Sequence, residues 1–284
     1  MSKGKGRKRA ISAGSIIAQV AMILGAIIMV APILWMISTS LKQPTAVLTP
    51  QPHWVPNPPT LENFAGLFTK SEEFPVVRWF INSLFISCTV TLLVLLVTST
   101  AAYAFARLQF KGREVLFMVV VATMIIPGQV ILIPVFLIVQ KLGWFNTYLG
   151  LIIPGLASAF GVFLLRQFFM TIPVELEEAA YVDGAGPFTV YSRVILPVAK
   201  PALATLAIFT FIGAWNEFVW PLIITNDISM RTLPVGLMIF QGRYSLEYGT
   251  VMAAAVLCSL PMVVAFLIFQ KRITEGIALT GIKG

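Results

Sequence analysis

The sequence is poor in charged side chains and holds a single histidine and two cysteines. Asp, Glu, Lys and Arg make up 11% of its 284 residues, whereas a soluble domain carries about a quarter. Long uncharged apolar segments account for the difference, and such segments are typical of chains that cross a membrane. The three residues His53, Cys88 and Cys258 are too few for an ordinary His/Cys metal site or a disulfide framework. We therefore expect a membrane protein without a metal or a cofactor of its own.

Acidic charge is also scarce, and the formal net charge is +8. The basic residues stand at the ends of apolar segments instead of gathering on one face, which is typical of membrane topology and not of nucleic-acid binding. We expect membrane lipids and no nucleic acid among the partners.

Six apolar segments are long enough to cross a bilayer, which takes about 20 residues of helix. The predicted spans are residues 15–39, 79–105, 115–138, 149–169, 199–223 and 249–270. The first is longer than the apolar core of a signal peptide, about 7–15 residues, so we expect it to be an uncleaved helix. The sequence thus predicts an all-α polytopic membrane protein with six transmembrane helices.

The predicted organisation has five parts. They are a basic cytoplasmic N-terminus (1–14), a first transmembrane helix (15–39), an external loop (40–78), a core of five transmembrane helices (79–270) that includes a cytoplasmic loop (170–198), and a cytoplasmic C-terminal tail (271–284). Seven prolines in the external loop favour irregular backbone. With the N-terminus inside, fourteen Lys and Arg residues lie inside and six outside, as the positive-inside rule requires. Both termini are therefore predicted to be cytoplasmic.

The cytoplasmic loop has the features of two short helices. Pro173 suits a first helical turn, and Gly184 suits the left-handed residue that ends a helix. Pro187 begins the second helix, and Leu196-Pro197 turns the chain back into the membrane. Acidic residues in the first helix, which its dipole favours early on, are Glu175, Glu177 and Glu178. Because helices of about ten residues are marginal alone in water, we expect them to need a partner surface.

This loop resembles the signature loop of the permeases of binding-protein-dependent ABC importers. The residues that match the signature are Glu178, Ala179, Ala180, Asp183, Gly184, Ala185, Leu196 and Pro197. Val194 stands where that family usually has Ile. Softer matches point to the carbohydrate-uptake branch with maltose-type inner-membrane permeases: residues 63–64, 82–83, 101–107, 215–218, 231–236 and 281–284.

The resemblance implies the type I ABC importer permease fold and a transport subunit, not an enzyme, in the bacterial cytoplasmic (inner) membrane. It also implies four kinds of partner: a second homologous permease chain, two cytoplasmic ATP-binding-cassette ATPase subunits, an external solute-binding protein and membrane lipids. The loop would seat in a cleft of an ATPase subunit and couple that subunit to the membrane helices. The sequence contains no G-x-x-x-x-G-K-[ST] phosphate loop, so ATP would be bound by partner subunits.

Two places inside the spans are candidates for the substrate path. Pro127 and Gln129 lie midway along the third span, where proline marks either an ordinary kink or a broken helix that lines a cavity. Glu217, with Trp215 and Asn216 beside it, is the one acid well within an apolar span. Charges in such places face a partner or a cavity, so Glu217 serves either helix packing and an outer gate or the path itself.

Other functions fit the residues less well. An intramembrane enzyme would need paired carboxylates in its spans, and this sequence has none. Its only histidine lies in the predicted external loop. A secondary transporter would show inverted repeats and several ionisable residues in its spans. The transported solute is predicted to be a carbohydrate, in particular an oligosaccharide, with a polyol or glycerol phosphate as the alternative. The sequence leaves open which sugar is carried and which permease chain holds it.

Overall fold

The computed structural model describes residues 13–47, 53–69, 74–243 and 247–281, and these ranges contain helices and no strand. The chain divides into two compact units, residues 1–67 with 244–256 and residues 68–243 with 257–284. Most of the predicted basic N-terminus (1–14) and the last three residues lie outside the described ranges.

The first unit begins with a long apolar helix and continues with two short ones. These are α1 (Ala13–Ser40), α2 (Pro44–Val47) and α3 (Glu62–Thr69). The two short helices lie in the segment predicted to be irregular. Proline is tolerated in the first turn of a helix, where Pro44 stands in α2, and residues 60–69 of the α3 region contain no proline. Asn63 anchors α3, because its amide donates hydrogen bonds to the carbonyls of Ser40 (2.9 Å) and Lys42 (2.7 Å).

The second unit holds the remaining helices. They are α4 (Val76–Arg107), α5 (Arg113–Ala122), α6 (Gly128–Lys141), α7 (Tyr148–Ile152), α8 (Ala159–Met170), α9 (Glu175–Val182), α10 (Pro187–Val190), α11 (Leu196–Val198), α12 (Lys200–Asn216), α13 (Val219–Ile224), α14 (Leu233–Arg243) and α15 (Tyr248–Gly281), whose first turns belong to the first unit. Short 3-10 segments follow α5 and α7, and a π-helical segment joins α10 to α11.

Six spans can be drawn through these helices, but three of them are not straight. Within α1, α4 and α15, residues 16–40, 76–107 and 248–267 are each long and apolar enough to cross a membrane alone. The third and fourth predicted spans are bent pairs, with angles of 103° between residues 113–125 and 128–141 and 44° between residues 148–156 and 159–170. The fifth is preceded by a bend of 78° between residues 187–198 and 200–216.

The 103° bend distinguishes between the two interpretations of the third span, an ordinary kink and a broken helix. Ile126 and Pro127 both have extended backbone, with ψ of 115° and 134°. A following proline disfavours α-helical backbone because of a steric clash, and Ile126 is extended accordingly. Since α6 begins again at Gly128, the structure shows a broken helix here and not an ordinary kink.

Two apolar clusters hold the second unit together. We call the end that carries α9 to α11 the inner end, following the predicted orientation, and the opposite end the outer end. The inner cluster comprises the buried residues Ala102, Tyr103, Leu165, Phe169, Ile172, Val190, Tyr191, Ile195, Ala199, Ala202 and Leu206. The outer cluster comprises Ile86, Val90, Val94, Val139, Leu151, Ile152 and Ile224.

Polar side chains of α4 fix the outer segment that precedes α14. The amide of Asn82 donates to the carbonyls of Ser229 (2.8 Å) and Arg231 (2.9 Å), and its oxygen accepts from the hydroxyl of Tyr148 (2.7 Å). The indole N–H of Trp79 donates to the carbonyl of Ile228 at 2.6 Å. Buried polar groups need such partners, so these bonds define where the outer segment lies.

We expect Gly236→Ala to destabilise the protein, whereas Gly242→Ala on the same helix should be tolerated. A Cβ at Gly236 would lie 2.1 Å from the Trp79 ring, while a Cβ at Gly242 meets nothing within 4 Å. Trp79 is fully buried and cannot move aside freely, and overpacking of this kind costs about 1–3 kcal/mol. Thermal unfolding of the two purified variants in detergent measures the difference, and equal melting temperatures would contradict it.

Candidate functional site

The loop at residues 170–198, which carries the signature, forms a helix that ends on a left-handed glycine. Gly184 has φ of +82°. Its N–H donates to the carbonyl of Tyr181 (3.0 Å), and the N–H of Ala185 donates to the carbonyl of Ala180 (2.9 Å). These two bonds form the Schellman pattern that ends helices. The predicted pair of helices joined at Gly184 is therefore present.

The second half of the loop differs from the expectation. Leu196 and Pro197 were predicted to turn the chain, but both are helical in α11, and the 78° bend comes after them, at Ala199. Pro197 is tolerated because it stands in the first turn of α11, where a proline N–H is not needed. The π-helical segment Tyr191–Ile195 precedes it, and such segments occur mostly at functional sites.

The signature residues of the loop divide between a buried and an exposed side. Ala180, Ala185 and Leu196 pack against the inner cluster. The exposed signature residues are Glu178, Ala179, Asp183, Gly184 and Pro197. Large apolar side chains also remain exposed on this loop, and the most exposed are Val182 at 87% and Phe188 at 76%. Apolar groups exposed together in this way mark interaction surfaces.

A buried ion pair joins the loop to the inner end of α4, and the sequence reading missed it. The Nε atom of Arg107 lies 2.8 Å from Oε1 of Glu177, and both of these atoms are buried. The angle at these atoms is not that of a hydrogen bond, so the contact is electrostatic. Arg107 also donates to the carbonyls of Phe169 (2.7 Å) and Ile172 at the end of α8. One guanidinium therefore holds three elements together.

Burial raises the pKa of Glu177, and the positive charge of Arg107 lowers it by a smaller amount. The ionised carboxylate is thus less favourable here than in water. The protonated Glu177 side chain therefore contributes to the stability of the folded protein. This contribution is complete at low pH and is lost as the pH rises through the raised pKa of Glu177.

A second inner ion pair connects α8 with α5. The guanidinium of Arg166 donates to both carboxylate oxygens of Glu114, at 3.0 and 2.9 Å, and lies 4.0 Å above the ring of Phe117. Its Nε donates to the carbonyl of Phe105 at 3.2 Å. Arg166 therefore fixes the inner half of the broken third span.

A cavity of about 490 Å³ opens beside the break in the third span. Its walls come from α4, α6, the α7–α8 region, α12 and α13. Three glycines in the wall leave the backbone open to a ligand: Gly128, Gly155 and Gly213. The polar groups of the lining are Gln129, Thr210, Glu217, Thr232 and the indole of Trp220. A volume of this size lies in the range of small-molecule sites, about 300–1,000 Å³.

Glu217 lies in a break between α12 and α13, not within a continuous span. Its Oε1 accepts a hydrogen bond from the backbone N–H of Trp220 (3.1 Å). The indole N–H of Trp220 donates to the carbonyl of Gly150 (2.9 Å), which fixes the ring in the cavity wall. The carboxylate thus stabilises the start of α13 and lines the cavity as well.

The structure brings two of the five predicted path residues together and separates the other three. Gln129 and Glu217 line the cavity, but Trp215, Asn216 and Pro127 do not. Trp215 is buried, and its indole N–H donates to the carbonyl of Cys258 (3.1 Å). The exposed amide of Asn216 lies 4.0 Å from the sulfur of Met262. Pro127 shapes the break beside the cavity without lining it.

Thr232 is a cavity residue that sequence reasoning missed. It is only 3% exposed, and its Oγ1 has no hydrogen-bond partner within the described part of the chain. Buried hydroxyls are normally satisfied. The family resemblance included residues 231–236 but assigned no role to Thr232, and only the fold places its side chain in the cavity wall.

These features define the class of protein. Residues 96–278 match the family described as binding-protein-dependent transport system inner membrane components. The chain belongs to this family and has the type I ABC importer permease fold, with helices that cross the membrane.

Relatives of known name cover almost the entire chain. It is 36% identical to the trehalose/maltose transport system permease protein MalG of Thermococcus litoralis, over 95% of this chain and 98% of that protein. It is 35% identical to the arabinooligosaccharides transport system permease protein AraQ of Halalkalibacterium halodurans, over 81% of each. The sn-glycerol-3-phosphate transport system permease protein UgpE of Brucella abortus is 32% identical, over 94% and 96%.

A solved structure has the same fold. A chain of a bacterial ABC transporter involved in the import of the acidic polysaccharide alginate superposes with a TM-score of 0.82 at 25% identity, and the match covers 94% of this chain and 99% of that one. The family and fold that the signature loop predicted are therefore confirmed.

Proposed function

We propose that this chain is the permease subunit of an ATP-driven importer that admits a carbohydrate, in particular an oligosaccharide, delivered by an external solute-binding protein. The observation that carries the proposal is the signature loop. It is folded as two short helices around Gly184 at the inner end of the apolar helices of this chain, which belongs to the family. The chain contributes no phosphate loop, so separate ATPase subunits supply the energy.

The exposed side of the loop is the surface that an ATPase subunit would contact. Val182 and Phe188 supply apolar area there, and Glu178 and Asp183 supply exposed acids. The opposite side of the loop is tied to the membrane helices through Ala180, Ala185 and the Arg107–Glu177 pair. Motion of the loop would thus be passed to α4 and α8. The predicted orientation, with both termini cytoplasmic, puts this surface on the side where ATP is available.

The cavity is our candidate for this chain's share of the substrate path, with Gln129 and Glu217 in its wall. The names of the relatives MalG and AraQ support a saccharide, and UgpE keeps glycerol phosphate as a second candidate. A second permease chain, homologous to this one, would complete the path.

Reconstitution in liposomes tests the proposal. We expect ATP-dependent uptake of a labelled oligosaccharide when the two permease chains, the ATPase subunits and the solute-binding protein are all present, and none when this chain is omitted. Liposomes that contain this chain alone should take up nothing, with or without an ion gradient. Uptake by the chain alone would identify a secondary transporter instead and refute the proposal.

A further inference from the structure

The cavity has a distinct charge character. Among the residues that line the cavity, Glu217 is the only one with a charged side chain. Gln129, Thr210 and Thr232 are neutral, and the rest of the wall is apolar or glycine. No Lys, Arg or His from the described chain contributes to the lining. The cavity therefore offers hydrogen bonds and a negative charge, but no cation.

Glu217 keeps hydrogen-bonding capacity for a ligand. Its Oε1 is occupied by the N–H of Trp220, while Oε2 has no hydrogen bond or ion pair with the residues that the structure describes. Carboxylate oxygens are strong acceptors for hydroxyl donors, and such charge-assisted bonds are about twice as strong as neutral ones. An anion in the same place would meet electrostatic repulsion from the carboxylate.

Thr232 is a second, independent indication of a ligand. Its buried hydroxyl lacks a partner in the described chain, and leaving a buried polar group without a partner is unfavourable. A ligand rich in hydroxyl groups could satisfy it. The fixed indole of Trp220 and the glycine wall provide apolar surface and close backbone approach, which suit the apolar faces of a sugar ring.

We propose that this cavity is a binding site for a neutral saccharide and that Glu217 excludes anionic solutes such as uronic acid oligosaccharides and phosphorylated polyols. The proposal rests on the proposed function, since it takes the cavity to be on the substrate path. It also chooses between the two solute classes that the relatives leave open.

Binding to the purified transporter complex without its solute-binding protein tests the proposal, because that protein's own selectivity is then absent. The complex is titrated at low salt with maltotriose, an alginate trisaccharide or sn-glycerol 3-phosphate. The signal is the quenching of tryptophan fluorescence that depends on Trp220, that is, the part that is absent in the Trp220→Phe variant. We expect the neutral trisaccharide to bind at least about tenfold more tightly than either anion, a difference of about 1.4 kcal/mol.

Two variants test whether Glu217 causes the preference for the neutral trisaccharide and whether Thr232 contributes to its binding. Glu217→Gln keeps an oxygen for the Trp220 N–H but removes the charge, so the preference for the neutral trisaccharide should shrink severalfold. Thr232→Val should weaken binding of the neutral trisaccharide. Thr225→Val is the matched control, because Thr225 is buried outside the cavity and bonds its hydroxyl to Pro221, and it should leave binding unchanged.

Three results would overturn the proposal: equal or tighter binding of the anions, a preference that Glu217→Gln leaves unaltered, or no Trp220-dependent binding of maltotriose up to its solubility limit. ATP-driven uptake by the same complex in liposomes is measured separately. If uptake occurs while these binding results fail, the charge selectivity is wrong and the proposed function stands. If uptake is absent, the proposed function itself fails.

Discussion

Gly184→Pro is expected to abolish ATP-driven uptake while the protein still inserts into the membrane. Gly184 has φ of +82°, whereas proline is fixed near −65°. Proline would also remove the N–H that donates to the carbonyl of Tyr181. The helix α9 could then no longer end where it does, and the exposed acids and apolar groups of the loop would be displaced. Uptake in proteoliposomes and the amount of protein in the membrane fraction measure the two effects separately.

Two alanine variants make this test specific to the backbone. A Cβ meets nothing within 4 Å at either Gly184 or Gly186, so neither substitution causes a clash. Gly186 has an extended backbone with φ of −80°, and Gly186→Ala should transport almost normally. Gly184→Ala places a side chain in the left-handed region at a cost of about 1–2 kcal/mol and should be intermediate. Normal uptake by Gly184→Pro would show that this loop does not couple the ATPase subunits to the membrane helices.

Arg107→Ala should destabilise the inner end severely, by about 3–5 kcal/mol, which is the usual cost of breaking a buried ion pair on one side. The variant leaves the carboxylate of Glu177 buried without its counter-charge. It also leaves the carbonyls of Phe169 and Ile172 without the donor they have now. The melting temperature of the purified protein in detergent measures the loss, and limited proteolysis shows whether the loop opens first.

Arg113→Ala is the matched control for Arg107→Ala. Arg113 pairs with Glu114 at 3.0 Å, but the two side chains are 30% and 56% exposed. Exposed pairs contribute at most about 1 kcal/mol, so this variant should melt close to the wild type. Equal losses in the two variants would mean that Arg107 does not hold the three elements together.

Glu177→Gln should cost less than Arg107→Ala, because burial already makes the ionised carboxylate of Glu177 unfavourable and raises its pKa. The glutamine keeps the shape of the side chain and removes the buried negative charge. Arg107 retains its two carbonyl partners in this variant. The difference between the two melting temperatures should also narrow at low pH, where Glu177 becomes protonated and Arg107→Ala no longer leaves a buried charge.

The sequence predicted the family, the six apolar segments and the glycine that ends α9, because each depends on a local property. Hydropathy over about 20 residues reveals a span, and a left-handed turn requires glycine. The break at Pro127 was one of two open interpretations. Its angle of 103° depends on how α6 packs, which the dipeptide alone does not determine.

The parts that were missed depend on contacts between distant residues. Arg107 and Glu177 are 70 positions apart, and each had a sufficient local explanation, one as a basic flank of a span and the other as an acid early in a helix. Thr232 lies in a segment that resembled the family (231–236), but no local feature marked its side chain as part of a cavity. Trp215 was misplaced because its neighbour Glu217 suggested a cavity, whereas the end of α12 directs the two residues into different surroundings.

The acid in the cavity wall has an electrical consequence for the cell. A carboxylate near the outer end of a span needs water, and a wet pocket with a negative wall gathers cations from the medium. A membrane that sustains a voltage cannot let such a pocket continue to the cytoplasm. The inner cluster, where Leu165, Phe169 and Ile195 are fully buried, is apolar and closely packed. The same side chains that stabilise the fold would thereby keep the resting transporter from leaking current.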